Sequence, residues 1–175
     1  MGFSVTIASS IILIVLLVLS SSFLITIFQG LKEISYAAKE YLNSEKEKLD
    51  VSLQLAVNSV NATSCNVTVK NTGSKTIFLK KQGNFSWNTI ILSYGNGSFW
   101  FSYSIEDYEI LEIKVSGTNY TFSQDNHTFI NSGEEVTISF SIPNGAPEIP
   151  LDGLVSVVFV THYGVEAKAE GVRTQ

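Results

Sequence analysis

Residues 50–73 read DVSLQLAVNSVNATSCNVTVKNTG, and the alternation in this stretch decides the fold. Val51, Leu53, Leu55 and Val57 fall on one face of an extended chain, with Ser52, Gln54 and Ala56 on the other. That period of two marks a half-buried strand. Cys65 to Lys70 repeats the pattern, Asn71-Thr72-Gly73-Ser74 is a turn signal, and Thr76 to Leu79 resumes the strand. Further strands are expected at 88–94, 99–104, 109–115, 119–123, 127–130, 135–142, 154–163 and 165–171. Turn signals separate them at Gly95-Asn96-Gly97, Ser116-Gly117, Asn131-Ser132-Gly133 and Asn144-Gly145. Short strands at such spacing imply a mainly β fold, an antiparallel sandwich of immunoglobulin-like, Greek-key form. The Cys…Trp…Cys spacing of true immunoglobulin domains is absent.

Some strands are apolar on both faces. Val155, Val157 and Phe159 point one way, while Leu154, Val158 and Val160 point the other. Ile91 stands between Thr89 and Ser93 on an otherwise polar face, and Trp100 opposes Phe99, Phe101 and Tyr103. A sandwich buries one face of each strand, so the second apolar face needs cover from a loop, the stalk or a partner. Ile91, Trp100, Val158 and Val160 are the candidate dimer or partner interface.

Upstream of the β region the chain changes character. Met1 to Leu31 holds no charged side chain, and about 20 apolar residues suffice to span a bilayer core. Residues 5–28 are the expected transmembrane helix, after a short segment 1–4 and before a helical stalk, 29–48; the sandwich occupies 49–175. Serines at 20–22 can bond back to their own helix carbonyls. A cleaved signal peptide would show a basic start, a shorter apolar run and a small-residue cleavage site, so a retained anchor is expected. Leu31, Ile34, Ala38 and Tyr41 follow a 3–4–3 spacing, a candidate helix-packing seam. The seam serves either an amphipathic stalk or a helix that packs on copies of itself.

Charge bears on topology and partners. Four lysines (32, 39, 46, 48) balance four glutamates (33, 40, 45, 47) in the stalk, so the net −5 lies in residues 50–175. An acidic, lysine-poor domain lacks the basic footprint that nucleic acid requires. Lys32 and Lys39 faintly favour a cytoplasmic C-terminal side. Against this stand six sequons, at Asn61, Asn66, Asn84, Asn96, Asn119 and Asn126, among twelve asparagines. Chance would give about two or three, so a glycosylated, external domain is expected.

No catalytic constellation is visible. His127 and His162 have no cysteine partner at metal-ligand spacing. Glu106, Asp107, Glu109 and Glu112 cluster without the glycine of a calcium loop, as a solvated acidic edge would. Cys65, the single cysteine, reads as a small buried strand residue. No nucleophile elbow, phosphate loop or zinc helix occurs. The expectation is a non-enzymatic chain with no cofactor and no metal.

Met1-Gly2-Phe3-Ser4 running into the 5–28 helix, then a charged stalk and a sandwich containing Asn66-Val67-Thr68-Val69-Lys70-Asn71-Thr72-Gly73, resembles the archaellum accessory proteins of the ArlF (FlaF) and ArlG (FlaG) families. The opening tetrapeptide is closer to the ArlF side. The resemblance implies a stator of the archaeal flagellum: a single-pass membrane protein whose dimeric sandwich faces outward and binds the S-layer protein. It further implies the other archaellum accessory subunits as partners. The alternative is a type IV pilin-like subunit of a surface filament. Against pilins, no basic leader precedes the helix and no glutamate lies early in it, which disfavours a bulk filament subunit.

Overall fold

The computed structural model describes residues 2–79, 81–82, 85–95, 99–105, 107–124 and 126–174. The chain falls into two compact units, Met1–Glu45 and Lys46–Gln175.

The first unit lies within one helix, α1 (Gly2–Leu49). β-branched residues are ordinarily modest helix formers, yet valine and isoleucine fill its apolar part. In lipid every backbone polar group must bond within the segment, and a helix meets that demand. Hydroxyls add to the satisfaction: Ser21 and Ser22 both donate to the Val18 carbonyl, Ser10 to Thr6 and Thr26 to Ser22, as the serine cluster predicted. The span Thr6–Leu49 is long and apolar enough by length and composition to cross a membrane. Lys46 and Lys48 lie in the last turn, where the helix dipole favours cations.

The second unit is an antiparallel sandwich. One sheet runs in the order β1 (Leu53–Val60), β2 (Ser64–Asn71), β11 (Glu134–Ser141), β8 (Glu109–Val115), β9 (Thr121–Phe122). The other runs β13 (Glu166–Val172), β12 (Leu154–Val160), β6 (Thr89–Gly95), β7 (Trp100–Ile105). Two small ladders flank them, β10 (Phe129–Ile130) with β3 (Ile77–Phe78), and β4 (Lys81–Gln82) with β5 (Phe85–Ser86). This order is that of an immunoglobulin sandwich: β1, β2, β11 and β8 stand as strands A, B, E and D, against β13, β12 and β6 as G, F and C. Each predicted strand from 88 onward has its counterpart, and the β4–β5 hairpin is additional.

The core is drawn from both inner faces. Val67, Val69, Val136 and Ile138 of one sheet meet Ile90, Leu92, Val155, Val157 and Phe159 of the other, all fully buried. Cys65 sits on the B strand, where immunoglobulins place half of their inter-sheet disulfide, but no second cysteine exists. Apolar packing, including the rings of Tyr94 and Phe159, joins the sheets without a disulfide. The edges close where β1 meets β13: a Cβ on Gly171 would lie 2.7 Å from Val57 Cγ1, so only glycine permits this approach. A register shift between Val57 and Ser59 turns Val60 inward, ending the simple alternation.

The strand expected at Thr76–Leu79 is present as Ile77–Phe78. It pairs with Phe129–Ile130, and the segment 71–75 crosses out of the five-stranded sheet. Asn71 holds this corner. Its buried Nδ2 donates to the Lys75 carbonyl (2.7 Å) and the Ile130 carbonyl (3.0 Å), while its Oδ1 accepts from Gly73 N (3.0 Å). One expectation is corrected, the late strand expected to reach residue 163. It ends at Val160, and Thr161–Val165 forms a hairpin with Gly164 at φ 76°.

Asn71→Ala removes the partner of two carbonyls and one amide at a fully buried position. It is expected to cost about 3 kcal/mol, read as a lower urea midpoint for the isolated domain. Gly73→Ala should cost as much by sterics, since its Cβ would stand 2.4 Å from Ser52 N.

Candidate interaction surfaces

The outer face of the four-stranded sheet is organised in rows set by strand register. Val158 lies opposite Ile91 on one side and Lys168 on the other, and Ile91 in turn opposes Ser104. Val160 follows, between Thr89 and Glu166. Ile91, Val158 and Val160 therefore form one half-buried apolar strip in the middle of this face.

Trp100 belongs to a different row. It pairs with Gly95 and lies over it, its Cε2 3.1 Å from where a Cβ would be. Four residues of β6 separate that row from Ile91, about 13 Å. Its apolar neighbours are residues the sequence reading did not single out as an interface. Leu154 pairs with Val172, and Leu151 and Leu154 line a shallow recess with Trp100. Trp100 is 65% exposed, Leu151 61%, Leu154 42% and Val172 45%. The four candidates thus split into a central strip and one end of the sheet. The signal for Leu151 was its place after Pro150 in a loop, which hydrophobic periodicity does not reach.

On α1, Leu31, Ile34 and Tyr41 of the candidate seam are more than half exposed. Of the sequons, Asn61, Asn119 and Asn126 are exposed and Asn66 is half-buried on β2, between Ser59 and Ser139. Asn84 and Asn96 lie outside the described residues, as does Glu106 of the acidic edge. Glu112 and Glu135 flank Lys114 at 3.8 and 3.4 Å, so part of that edge is internally compensated.

Both histidines lie in a run of aromatic rings along the small β3–β10 ladder. Phe122 stacks on His127 (4.1 Å, 8°), His127 contacts Phe129 (4.1 Å), and Phe129 meets Phe78 edge-on (6.3 Å). Phe78 then contacts Trp87 (6.4 Å) and His162 (5.8 Å). His127 Nε2 bonds Glu134 Oε2 at 3.0 Å, and that oxygen also accepts from Asn131 N. Among the described residues, no three of His, Cys, Asp and Glu stand together as a metal set. The aromatic run was missed because it joins β9, β10, β3 and the β12–β13 turn, which are distant in sequence.

No family model matches the sequence, and no curated protein is similar to it in sequence. Solved structures that resemble it include archaellum and archaeal flagellum proteins. The archaeal flagellum of Methanospirillum hungatei strain JF1 matches with 13% identity over 96% of this chain and 93% of that chain, at a TM-score of 0.59. The archaellum periplasmic stator protein FlaG from Sulfolobus acidocaldarius matches with 10% identity over 69% and 99%, at 0.44. The FlaF and FlaG stator complex from the same organism matches with 10% identity over 68% and 87%, at 0.43. At these identities the likeness is one of fold.

Burial among Phe78, Trp87 and Tyr163 lowers the pKa of His162 below the ordinary imidazole range. The unfolded chain therefore takes up this proton first as pH falls. Stability is full above about pH 6.5 and declines as pH drops below it. Urea midpoints at about pH 7.5 and about pH 5 should differ less in His162→Phe than in the parent. Burial also pushes the Cys65 thiol up to about 12. The folded domain should resist a thiol reagent at neutral pH and react once unfolded.

Proposed function

We propose that this chain is a non-catalytic archaellum component, a stator subunit held in the membrane by α1 with its sandwich outside, gripping the S-layer. The observation that carries the reading is the pairing of a charge-free, lipid-compatible helix with a sandwich that keeps apolar side chains on an outer sheet face. A motor exerts torque, so its static part must hold something rigid at both ends. The helix is one grip. The strip of Ile91, Val158 and Val160, with the Trp100–Leu154 end beyond it, is the candidate second grip or dimer contact. Exposed sequons at Asn61, Asn119 and Asn126 support an external domain, and glycans there would leave the described centre of that face clear.

A second reading is a filament subunit. It is favoured by the likeness to the archaeal flagellum, which extends over 96% of the chain and so includes the helix. In that reading the Leu31–Ile34–Ala38–Tyr41 seam lies in a helical filament core.

Ile91→Lys should weaken S-layer co-sedimentation or self-association about tenfold or more and leave the urea midpoint nearly unchanged, because Ile91 is only half-buried on the outer face. Unchanged binding and unchanged mass would remove this face from the proposal. Immunogold labelling separates the readings: label confined to the envelope supports the stator, and label along extracellular polymers supports the filament.

A further inference from the structure

The stalk carries a charge repeat that neither reading has used. Lysine followed by glutamate recurs at a strict seven-residue interval, at Lys32-Glu33, Lys39-Glu40 and Lys46-Glu47. With Leu31 and Ala38 as heptad position a, and Ile34 and Tyr41 as d, the lysines of these pairs fall at b and their glutamates at c, while Glu45 and Lys48 take the next a and d, so the apolar seam ends at Tyr41. At about 100° per residue, these stripes lie about 130° to either side of the seam. A helix with its seam inward thus shows a positive stripe on one outer flank and a negative stripe on the other.

The spacing also prevents neutralisation within the helix. Helical ion pairs form between residues three or four apart. Between residues 31 and 44 no glutamate stands at that distance from a lysine. Among the described residues, Glu33, Lys39 and Glu40 enter no ion pair, and Lys32 Nζ lies over the Tyr36 ring at 5.7 Å. Glu47 of the third repeat reaches Lys75 of its own chain at 3.7 Å, so the stripes available to a neighbour are those of the first two repeats.

Two features select the arrangement that would use such stripes. The e and g positions, which flank the seam, are Ser35, Ala37, Leu42 and Ser44. Three of these four are small and let neighbouring helices approach closely. Between parallel neighbours with seams inward, the b flank of one faces the c flank of the next, lysine against glutamate. Between antiparallel neighbours like stripes would meet. In a two-helix pair the b and c flanks point away from the contact, so the pattern is of use only with more than two helices.

We propose that the stalk docks against further copies of this chain in a parallel bundle of more than two helices, the lysine stripe of each copy pairing with the glutamate stripe of the next. This rests on the reading of Leu31, Ile34, Ala38 and Tyr41 as a self-packing seam, and it holds for stator or filament. The interface is heterologous, so the number of copies follows from whether the rotation closes.

The test uses the full chain in mild detergent, with mass read by light scattering. The parent should assemble beyond a dimer. Lys32→Glu with Lys39→Glu, or Glu33→Lys with Glu40→Lys, should each raise the concentration needed for assembly about tenfold. An equimolar mixture of the two double variants should assemble better than either alone, because alternating variants again set each stripe against its opposite, fully so where the number of copies is even. Carbodiimide coupling of isotopically mixed parent chains should join Lys39 to Glu40 of another copy. A parent that stops at dimer, double variants that assemble like the parent, or a mixture no better than its components would overturn the proposal. Ile34→Lys separates the two levels: a mass unchanged by it removes the seam itself, whereas dissociation by it with inert charge swaps removes only the stripe pairing.

Discussion

The hydrogen bonds of Asn71 set the course of the chain through the sandwich. A side-chain amide at the end of a central strand offers two donors and one acceptor. Here all three are taken by backbone groups of the following corner and of β10, and Gly133 N completes the set on the Asn71 carbonyl. A buried polar group is tolerated only when so satisfied. Both edges of β2 are taken, by β1 and β11, and Asn71, bonded to the carbonyls of Lys75 and Ile130, holds the chain on its course away from β2. The chain leaves the sheet, builds the β3–β10 ladder and enters the opposite sheet as β6. Gly73 lets this corner sit against Asp50 and Ser52, where the first strand begins.

The two units obey different physics. In the sandwich, core and surface divide by strand alternation, and the hydrophobic effect supplies the driving force. In α1 the backbone satisfies itself, and in the membrane setting proposed above lipid would solvate the apolar helix on all sides. Charge returns at Lys32, and from there the helix carries a narrow apolar seam. A long helix there has little tertiary packing of its own, and packing is what usually sustains helices. Association of stalks would meet that need.

Much of the fold was legible in the residues. Alternation located the strands, and the Gly117, Gly133 and Gly145 turns take the positive φ their sequence signals implied. Val155, Val157 and Phe159 point into the core as read. The candidate surface was legible only in part. Alternation tells which face a side chain takes, so Ile91, Val158 and Val160 could be placed on one side. It is silent about register between strands, and register alone separates Trp100 from them. The aromatic run through His127 and His162 was hidden for the same reason, since its rings come from three separate regions of the chain, 78–87, 122–129 and 162.

By itself the sequence determined the class of architecture: a charge-free helix, a stalk, and short alternating strands that had to pair as a sandwich. It also fixed the charge stripes of the stalk, because helical periodicity converts spacing directly into direction. Strand order, the crossing at Asn71 and the companions of Trp100 and His162 were decided only by tertiary structure. Those depend on which distant segments meet, and long-range pairing is a property of the whole packed chain that no local pattern encodes.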